Sequence, residues 1–215
     1  MKAAIIGSGA VEDYSFFYNA VKKYDFIICA DGGIKHLMNV NIPPNVFIGD
    51  SDSCDFSKIK SNPILHDTEI ILHNTVKDDT DMQLCIKWAL DNGYNNLVIF
   101  AALGGRVDHE LSNIYNLKYI LELGAQGMIF SDTNRIYITD SKISVEREDG
   151  YHISLIPITE VVKGVTLKGL SYPLDNADLI QGTSLGISNE FAEEFAEISV
   201  ADGVLLIVVS KDSLN

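Results

Sequence analysis

The sequence has few cysteines and no long hydrophobic run. Its three cysteines, Cys29, Cys54 and Cys85, are an odd number without a C-x-x-C pair, which predicts reduced, buried thiols and neither a disulfide framework nor a zinc site. The longest apolar runs, such as 203–209, are far shorter than the roughly 20 residues that cross a bilayer. Residues 1–6 show no signal-peptide pattern. We therefore expect a soluble, cytoplasmic protein with no membrane partner.

Positive charge is also scarce, because 16 Lys and Arg stand against 30 Asp and Glu, for a formal net charge of −14 over 215 residues. A nucleic-acid partner is not expected, since a phosphate backbone demands a basic protein face. A small phosphorylated ligand remains compatible with this charge if a bound cation offsets it. Hydrophobic residues make up 47% of the chain, so the sequence can bury a core and is not that of a disordered protein.

Two common nucleotide-binding motifs are missing. No G-x-x-x-x-G-K-[ST] occurs, which excludes a P-loop kinase. The stretch Gly7-Ser8-Gly9 begins like a dinucleotide-binding fingerprint, but Glu12 stands where the third glycine is needed. We therefore predict no Rossmann-type NAD site.

Short apolar runs alternate with amphipathic stretches in the first part of the chain. The runs predict buried strands at 3–7, 26–30, 46–49, 97–103 and 128–131. Apolar residues at helical spacing predict a helix over 81–92, begun by a capping box of Thr80 and Gln83, and another over 108–124. Residues 1–131 are therefore predicted to form a three-layer α/β domain, in which helices cover a parallel sheet.

Residues 132–215 show a different pattern. Short strands are predicted within 135–139, 143–147, 151–156, 161–170 and 195–209. The dipeptides Asp149-Gly150 and Asp202-Gly203 fall between apolar runs, as they do in hairpin turns. This part is predicted to be an antiparallel β-sandwich or small barrel without a long helix.

Carboxylates and glycines cluster where the predicted parallel strands end, which is the edge at which open α/β sheets bind ligands. Asp50 and Asp52 form a D-x-D pair, and such paired carboxylate oxygens suit Mg²⁺ bound together with phosphates. Gly32 and Gly33 precede a helix whose N-terminus favours a phosphate. Arg106 adds a cation that can fork onto a phosphate. Together these loops predict a magnesium and phosphate site.

Six stretches along the chain form an ordered set of motifs. They are ADGGIKHL (30–37), IGDSDS (48–53), KDDTDMQLCI (77–86), ALGGRVDHELSNI (102–114), KGLSYPL (168–174) and GTSLGISNE (182–190). In content and order they resemble the thiamine pyrophosphokinase family. Two departures replace no residue expected to bind: Ser51 stands where an aromatic residue is common, and Ile187 where Thr is common.

The resemblance implies an α/β nucleotide-binding domain followed by a β-sandwich that binds thiamine and forms a homodimer. It implies transfer of the pyrophosphoryl group of ATP to the hydroxyl of thiamine with release of AMP. Asp50, Asp52 and Asp81 are expected to hold Mg²⁺ and the triphosphate. The ATP site is expected to contain Asp31, Gly32, Gly33, Lys77, Thr80, Arg106, Asp108 and His109. The residues expected to reach thiamine are Tyr172, Ser188 and Asn189. The catalytic set is expected to be Asp50, Asp52, Asp78, Asp81, Arg106 and Asp108.

Two other functions are compatible with the N-terminal motifs. A pyrophosphokinase or kinase for another small alcohol, such as a pterin, would keep the ATP site but differ at Tyr172 and at Ser188-Asn189. A non-catalytic nucleotide sensor on the same scaffold is the second alternative. The intact acidic motifs and Arg106 count against a sensor, because pure binding does not require the full set of catalytic groups.

Overall fold

The computed structural model describes residues 1–49, 63–73 and 79–212. Its contacts divide the chain into two compact units, Met1–Asp132 and a second unit that starts at Thr133. Four residues of the predicted site lie outside the described residues, so their roles stay predictions. They are Asp50, Asp52, Lys77 and Asp78.

The first unit is built on parallel strands. These are β1 (Lys2–Ile6), β2 (Ile27–Ala30), β3 (Val46–Gly49), β4 (Glu69–Leu72), β5 (Asn96–Phe100) and β6 (Gln126–Phe130). Hydrogen-bonded neighbours follow the order β4-β3-β2-β1-β5-β6, and every neighbouring pair is parallel. The chain moves outward from β1 to β4 and then returns to place β5 on the other side of β1. The gap beyond the ends of β1 and β5 is therefore a topological switch point.

Helices cover both faces of these strands. They are α1 (Tyr14–Val21), α2 (Ile34–Val40), α3 (Asp81–Asp91) and α4 (Val107–Glu122). Helices α1 and α2 contribute Phe17 and Ile34 to a core that includes Ile6 of β1. The alternate strand residues, such as Ile5 and Ile28, point to the opposite face and are fully buried there, and α3 packs against β1, β2 and β3. The predicted α/β class is confirmed.

The start of α3 follows the predicted capping pattern. Thr80 precedes the helix with extended backbone, and its Oγ1 accepts a hydrogen bond from the Gln83 N–H at 3.3 Å. Capping by threonine satisfies one of the free N–H groups of a first helical turn. It also fixes Asp81 in that first turn, close to the ends of the parallel strands.

The second unit is antiparallel. Its strands are β7 (Asn134–Thr139), β8 (Lys142–Glu146), β9 (His152–Pro157), β10 (Val161–Lys168), β11 (Ala177–Ile180), β12 (Phe195–Ser199) and β13 (Leu205–Ser210). Strand β13 pairs with β7 and β9, and a four-stranded sheet has the order β11-β10-β12-β8. Leu155 and Ile207 of the first group share one core with Val165, Leu167 and Ile198 of the second. The predicted antiparallel sheets are confirmed.

Two strands were not predicted. Strands β4 and β11 have only four residues each, and both are partly exposed. Neither therefore forms an apolar run that stands out in the sequence. The predicted run 195–209 contains two strands, β12 and β13, with the Asp202-Gly203 turn between them. Gly203 has a φ of +97° there, a value that favours glycine. Within the described residues, no helix is both long and apolar enough to cross a membrane.

Candidate active site

A cavity of about 420 Å³ opens at the switch point of the first unit. Its lining comes from the segment after β1, the end of β2, the start of α3, and the loop and first turns of α4. The lining residues are Gly7, Ser8, Gly9, Ala30, Asp31, Thr80, Asp81, Met82, Ala102, Gly105, Arg106, His109, Glu110, Ser112 and Asn113.

The structure brings together four of the residues expected in the ATP site and one of the expected metal ligands. The four are Asp31, Thr80, Arg106 and His109, and the metal ligand is Asp81; all five line the cavity. Three others, Gly32, Gly33 and Asp108, are absent from its lining. Gly33 allows a close approach of two backbone segments, and Asp108 holds the side chain of Arg106.

Glycines at this edge allow the backbone segments to approach each other. A Cβ on Gly33 would lie 2.4 Å from the carbonyl oxygen of Ile6, and a Cβ on Gly9 would lie 2.3 Å from that of Leu103. Both distances are far below any van der Waals contact, so larger residues would displace the segments. The turn that contains Gly33 carries Asp31, which is buried and has a left-handed φ of +37°. The glycine therefore places this carboxylate at the cavity.

Arg106 and Asp108 form a two-point ion pair at the start of α4. Arg106 Nε donates to Asp108 Oδ1 at 3.1 Å, and Nη2 donates to Oδ2 at 2.6 Å. The bond from Arg106 lowers the pKa of Asp108 and raises the pKa of Arg106, so both groups stay charged. The guanidinium lines the cavity and the carboxylate does not. Asp108 therefore orients Arg106.

A second ion pair holds the segment before α3. Lys87 Nζ, on the second turn of α3, donates to Asp79 Oδ2 at 2.6 Å. This hydrogen bond to Asp79 raises the pKa of Lys87. Asp79 belongs to the KDDTDMQLCI motif expected at this edge, whereas no role was predicted for Lys87. The pair fastens the residues that lead into Thr80 and Asp81.

The donor set of the cavity fits a hard cation. Asp31 and Asp81 both line it, and Mg²⁺ is commonly bound by one or two carboxylates together with substrate phosphates and water. In the described part of the chain, no group of three His, Cys, Asp or Glu side chains is arranged to hold a metal ion. The predicted ligands Asp50 and Asp52 lie outside the described residues. The two described carboxylates fit Mg²⁺ whose other ligands include phosphate oxygens.

Several lining residues were not predicted from the sequence. Ser8 belongs to the Gly7-Ser8-Gly9 stretch, which departs from a dinucleotide fingerprint but follows a predicted strand at the binding edge. Ser112 and Asn113 follow His109 by three and four residues, which places all three on one helix face. That spacing could have found them.

The second unit has a concavity of its own, of about 550 Å³. It contains all three predicted thiamine-site residues, Tyr172, Ser188 and Asn189. Tyr172 is 65% exposed, and the neighbouring Leu185 and Ile187 are also exposed. The concavity is therefore an accessible aromatic and aliphatic surface.

Asn189 holds Tyr172 through the main chain. Its buried side chain accepts hydrogen bonds at Oδ1 from the N–H groups of Tyr172 at 3.0 Å and Glu190 at 2.9 Å, and Nδ2 donates to the Tyr172 carbonyl at 2.8 Å. The backbone of Asn189 also pairs with Ile153 of β9. Both acceptor positions of the amide oxygen are thus occupied. Asn189 fixes the position from which the Tyr172 ring reaches the concavity.

Two family models match the chain. The thiamin pyrophosphokinase catalytic domain matches residues 17–128, and the thiamin pyrophosphokinase vitamin B1 binding domain matches residues 140–205. The first alone spans more than half of the chain. The chain belongs to the thiamin pyrophosphokinase family. The resemblance of the sequence motifs is therefore confirmed.

Individual relatives agree with this assignment. The chain is 31% identical over 191 residues to the thiamine pyrophosphokinase of Bacillus subtilis, covering 86% of this chain and 87% of that protein. The crystal structure of the Bacillus subtilis enzyme superposes with a TM-score of 0.87 at 26% identity, over 99% of this chain and 100% of that one. For the thiamin pyrophosphokinase from Geobacillus thermodenitrificans, the TM-score is 0.85 at 28% identity, over 99% of both chains.

Proposed function

We propose that the chain transfers the pyrophosphoryl group of ATP to the hydroxyl of thiamine, giving thiamine diphosphate and AMP. The match of both family domains, in order along one chain, carries the proposal. The cavity of the first unit supports it, because carboxylates and a guanidinium meet at the carboxyl edge of a parallel sheet. Such an edge is suited to a nucleotide triphosphate.

In the proposed step, the hydroxyl oxygen of thiamine attacks the β-phosphorus of ATP. The bond from the β-phosphorus to the oxygen that bridges it to the α-phosphorus breaks, and AMP leaves with that oxygen. The hydroxyl proton passes to a carboxylate of the site. Charge develops on the β- and γ-phosphate oxygens and on AMP, so positioning and electrostatic stabilisation account for catalysis.

Different described residues would stabilise charge, position a carboxylate and supply oxygen atoms to the cavity. Arg106, kept charged and oriented by Asp108, offsets charge on the transferring phosphates. Thr80 fixes the first turn of α3 and with it the carboxylate of Asp81. Asp31 and Asp81 supply the oxygen atoms that face the cavity.

Mg²⁺ is the proposed cofactor. Asp81 would hold it together with Asp50 and Asp52, with Asp31 and Asp78 nearby. When bound, the ion would offset the negative charge of the phosphate oxygens. An acidic chain that binds a triphosphate needs such a cation, because the net charge of the chain is −14.

Thiamine is proposed to bind at the concavity of the second unit. The Tyr172 ring offers an exposed aromatic face, which suits a flat cationic ligand through stacking and cation–π attraction. A homodimer is proposed as well, with each thiamine site shared between the two chains. The exposed Leu185 and Ile187 beside Tyr172 support a partner at this surface. A two-fold interface places the same residues of both chains in equivalent sites.

The products of the first turnovers test the reaction. The purified chain is mixed with ATP, Mg²⁺ and thiamine, and an early time point is separated by chromatography. We expect AMP and thiamine diphosphate in equal amounts and no accumulation of ADP. ADP with thiamine monophosphate would identify a simple kinase, and AMP formed only with a pterin would identify another acceptor. ATP binding without turnover of any acceptor would identify a sensor.

A further inference from the structure

The segment after β1 forms one wall of the cavity in the first unit. We call residues 7–10 the glycine segment. The loop after β5 holds it through main-chain hydrogen bonds: the Gly9 N–H donates to the Ala101 carbonyl at 2.7 Å, and the Ala10 N–H donates to the Leu103 carbonyl at 2.8 Å. A Cβ on Gly9 would clash with the carbonyl oxygens of the same loop. The glycine segment therefore packs tightly against the loop after β5.

Helix α2 holds the same segment through side chains. Lys35 Nζ donates to the Ser8 carbonyl at 2.9 Å, and His36 Nε2 lies 2.8 Å from the Gly9 carbonyl oxygen. Ser8 and Gly9 line the cavity, whereas Lys35 and His36 do not. The carbonyl groups of the wall are therefore bonded to groups outside the lining.

His36 is buried between two aromatic rings of α1. Its ring centroid lies 5.8 Å from that of Tyr14 and 6.0 Å from that of Phe17. The Tyr14 hydroxyl oxygen is 2.8 Å from His36 Nδ1. A carbonyl oxygen can only accept a hydrogen bond, so the proton must be on Nε2, and the Tyr14 hydroxyl then donates to Nδ1. The contacts on both sides thus specify one tautomer.

The surroundings also favour the neutral ring. Burial lowers the pKa of His36; the hydrogen bond to the Gly9 carbonyl opposes this, and the charge of Lys35 adds to it. Tyr14 faces the ring from α1, and Lys35 neighbours it on α2. A neutral ring with one donor and one acceptor matches both partners.

We propose that His36 is a positioning residue for the nucleotide site, which holds the Gly9 carbonyl so that the glycine segment keeps the wall shape that accepts the phosphates of ATP. This proposal rests on the proposed function of the cavity. Without the bond from Nε2, the Gly9 carbonyl would lose its partner, and only the bond from the Ala10 N–H to the Leu103 carbonyl would still hold that peptide group. A rotation of the peptide group would aim its oxygen at the cavity, where an oxygen dipole repels a triphosphate.

A purely structural role of His36 predicts a different effect of its variants on ligand binding. A histidine that only fills the core would, when replaced, lower the stability of the fold without a selective effect on one ligand. A positioning residue changes nucleotide binding and leaves thiamine binding unchanged. The test therefore compares the two ligands on the same variants.

The experiment measures binding of a non-hydrolysable ATP analogue with Mg²⁺, and of thiamine, by titration calorimetry. Its variants are His36→Leu, His36→Gln and a control, His66→Leu, at an exposed histidine of the same unit. His36→Leu is expected to weaken analogue binding about tenfold, since the hydrogen bond to the Gly9 carbonyl is lost. His36→Gln keeps an N–H donor and should bind within about threefold of the unchanged chain. Thiamine binding should stay the same in all of them.

A second variant decides the question if His36→Leu does not fold. His36→Met keeps an apolar side chain that adapts to irregular packing, but it has no N–H donor for the Gly9 carbonyl. We expect analogue binding to weaken by about tenfold, as for the leucine variant. The ¹⁵N chemical shifts of His36 in the unchanged chain should report a proton on Nε2, and a proton on Nδ1 alone would overturn the proposal.

The outcomes distinguish a failure of the proposed function from a failure of the role proposed for His36. If the unchanged chain fails to bind the analogue, the proposed function is wrong and this proposal fails with it. If the unchanged chain binds but His36→Leu, or His36→Met where the leucine variant is unfolded, binds equally well, this proposal alone is wrong. Equal weakening of analogue and thiamine binding would also overturn it in favour of a structural role.

Discussion

The parallel strands of the first unit and the antiparallel strands of the second distribute polar residues differently. Parallel strands all end at one edge, so the loops after β1, β2 and β5 and the start of α3 meet around one cavity. Antiparallel strands end alternately at both edges, so their turns are spread over two ends of the unit. The first unit therefore concentrates charged groups, while the second offers an open surface.

The two concave surfaces differ in charge as a result. Asp31, Asp81, Arg106 and Glu110 line the cavity of the first unit. Among the described residues that line the concavity of the second unit, none is charged, and its largest exposed side chain is Tyr172. A charged site suits a metal-bound triphosphate, and an uncharged aromatic surface suits a flat organic cation. Each unit thus supplies a chemistry that the other lacks.

The largest effect is expected at the charged cavity of the first unit. Asp81→Asn is expected to lower kcat by about 100-fold or more, because a carboxylate of the proposed metal and phosphate site is lost. The thermal midpoint should stay the same or rise, since neighbouring carboxylates repel each other without a cation. Steady-state kinetics and thermal denaturation measure the two quantities.

The matched control is Asp91→Asn, at the exposed far end of the same helix. It should leave kcat unchanged. Turnover of Asp81→Asn close to that of the unchanged chain at limiting Mg²⁺ would contradict the role of this carboxylate.

The next test asks whether the two kinds of surface cooperate between chains. Asp81→Asn and Asn189→Ala are expected to be nearly inactive alone, the latter because Tyr172 loses its anchor. If each thiamine site is shared in a homodimer, mixing them should restore up to about a quarter of the activity, because half of the dimers are mixed and one of their two sites is intact. An active monomer at working concentration in analytical ultracentrifugation would exclude shared sites.

A smaller effect is expected at the uncharged surface. Tyr172→Ala should raise the KM for thiamine about tenfold while the KM for ATP changes little, since one aromatic–cation contact is lost. Tyr172→Phe keeps the ring and should remain close to the unchanged chain. Phe195→Ala, at another exposed aromatic of the second unit, serves as control. An equal rise in both KM values would mean that the two surfaces do not bind separate substrates.

Much of the fold could be predicted from the sequence because long apolar runs and helical spacing are local signals. Ile5, Ile28 and Ile99 are fully buried, and the runs of residues around them are apolar. The capping box at Thr80 gave the start of α3 directly. Strands β4 and β11 were not predicted, because short, half-exposed strands depend on pairing with neighbours that are distant in sequence.

Part of the site could also be predicted from local signals in the sequence. Residues with unusual chemistry, such as Asp31, Asp81 and Arg106, could be found because carboxylates and guanidinium groups in loops after strands are informative by themselves. The contacts that hold the site were not predicted. His36 contacts Gly9 and Tyr14. Asn189 was expected to reach thiamine, and its side chain holds the main chain of Tyr172; these bonds join segments that the sequence separates. Such contacts follow only from the packed structure.

The smallest expected effect concerns the stability of the first unit as a function of pH. The pKa of His36 is lower in the folded chain than its usual 6.5. Between the folded pKa and 6.5, the unfolded chain therefore binds more protons at this site than the folded chain does. The contribution of His36 to stability is complete above 6.5 and decreases as the pH falls toward the folded pKa.

Replacing the ring should remove this part of the pH dependence. The free energy of unfolding of His36→Gln, measured by urea denaturation at about pH 7.5 and about pH 5.5, should fall less on acidification than that of the unchanged chain. His152→Gln, at an exposed position of the second unit, is the matched control and should keep the slope of the unchanged chain. A steeper loss of stability in His36→Gln than in the unchanged chain would mean that the protonated ring is favoured in the fold. The neutral hydrogen-bonded bridge between Tyr14 and Gly9 would then be wrong.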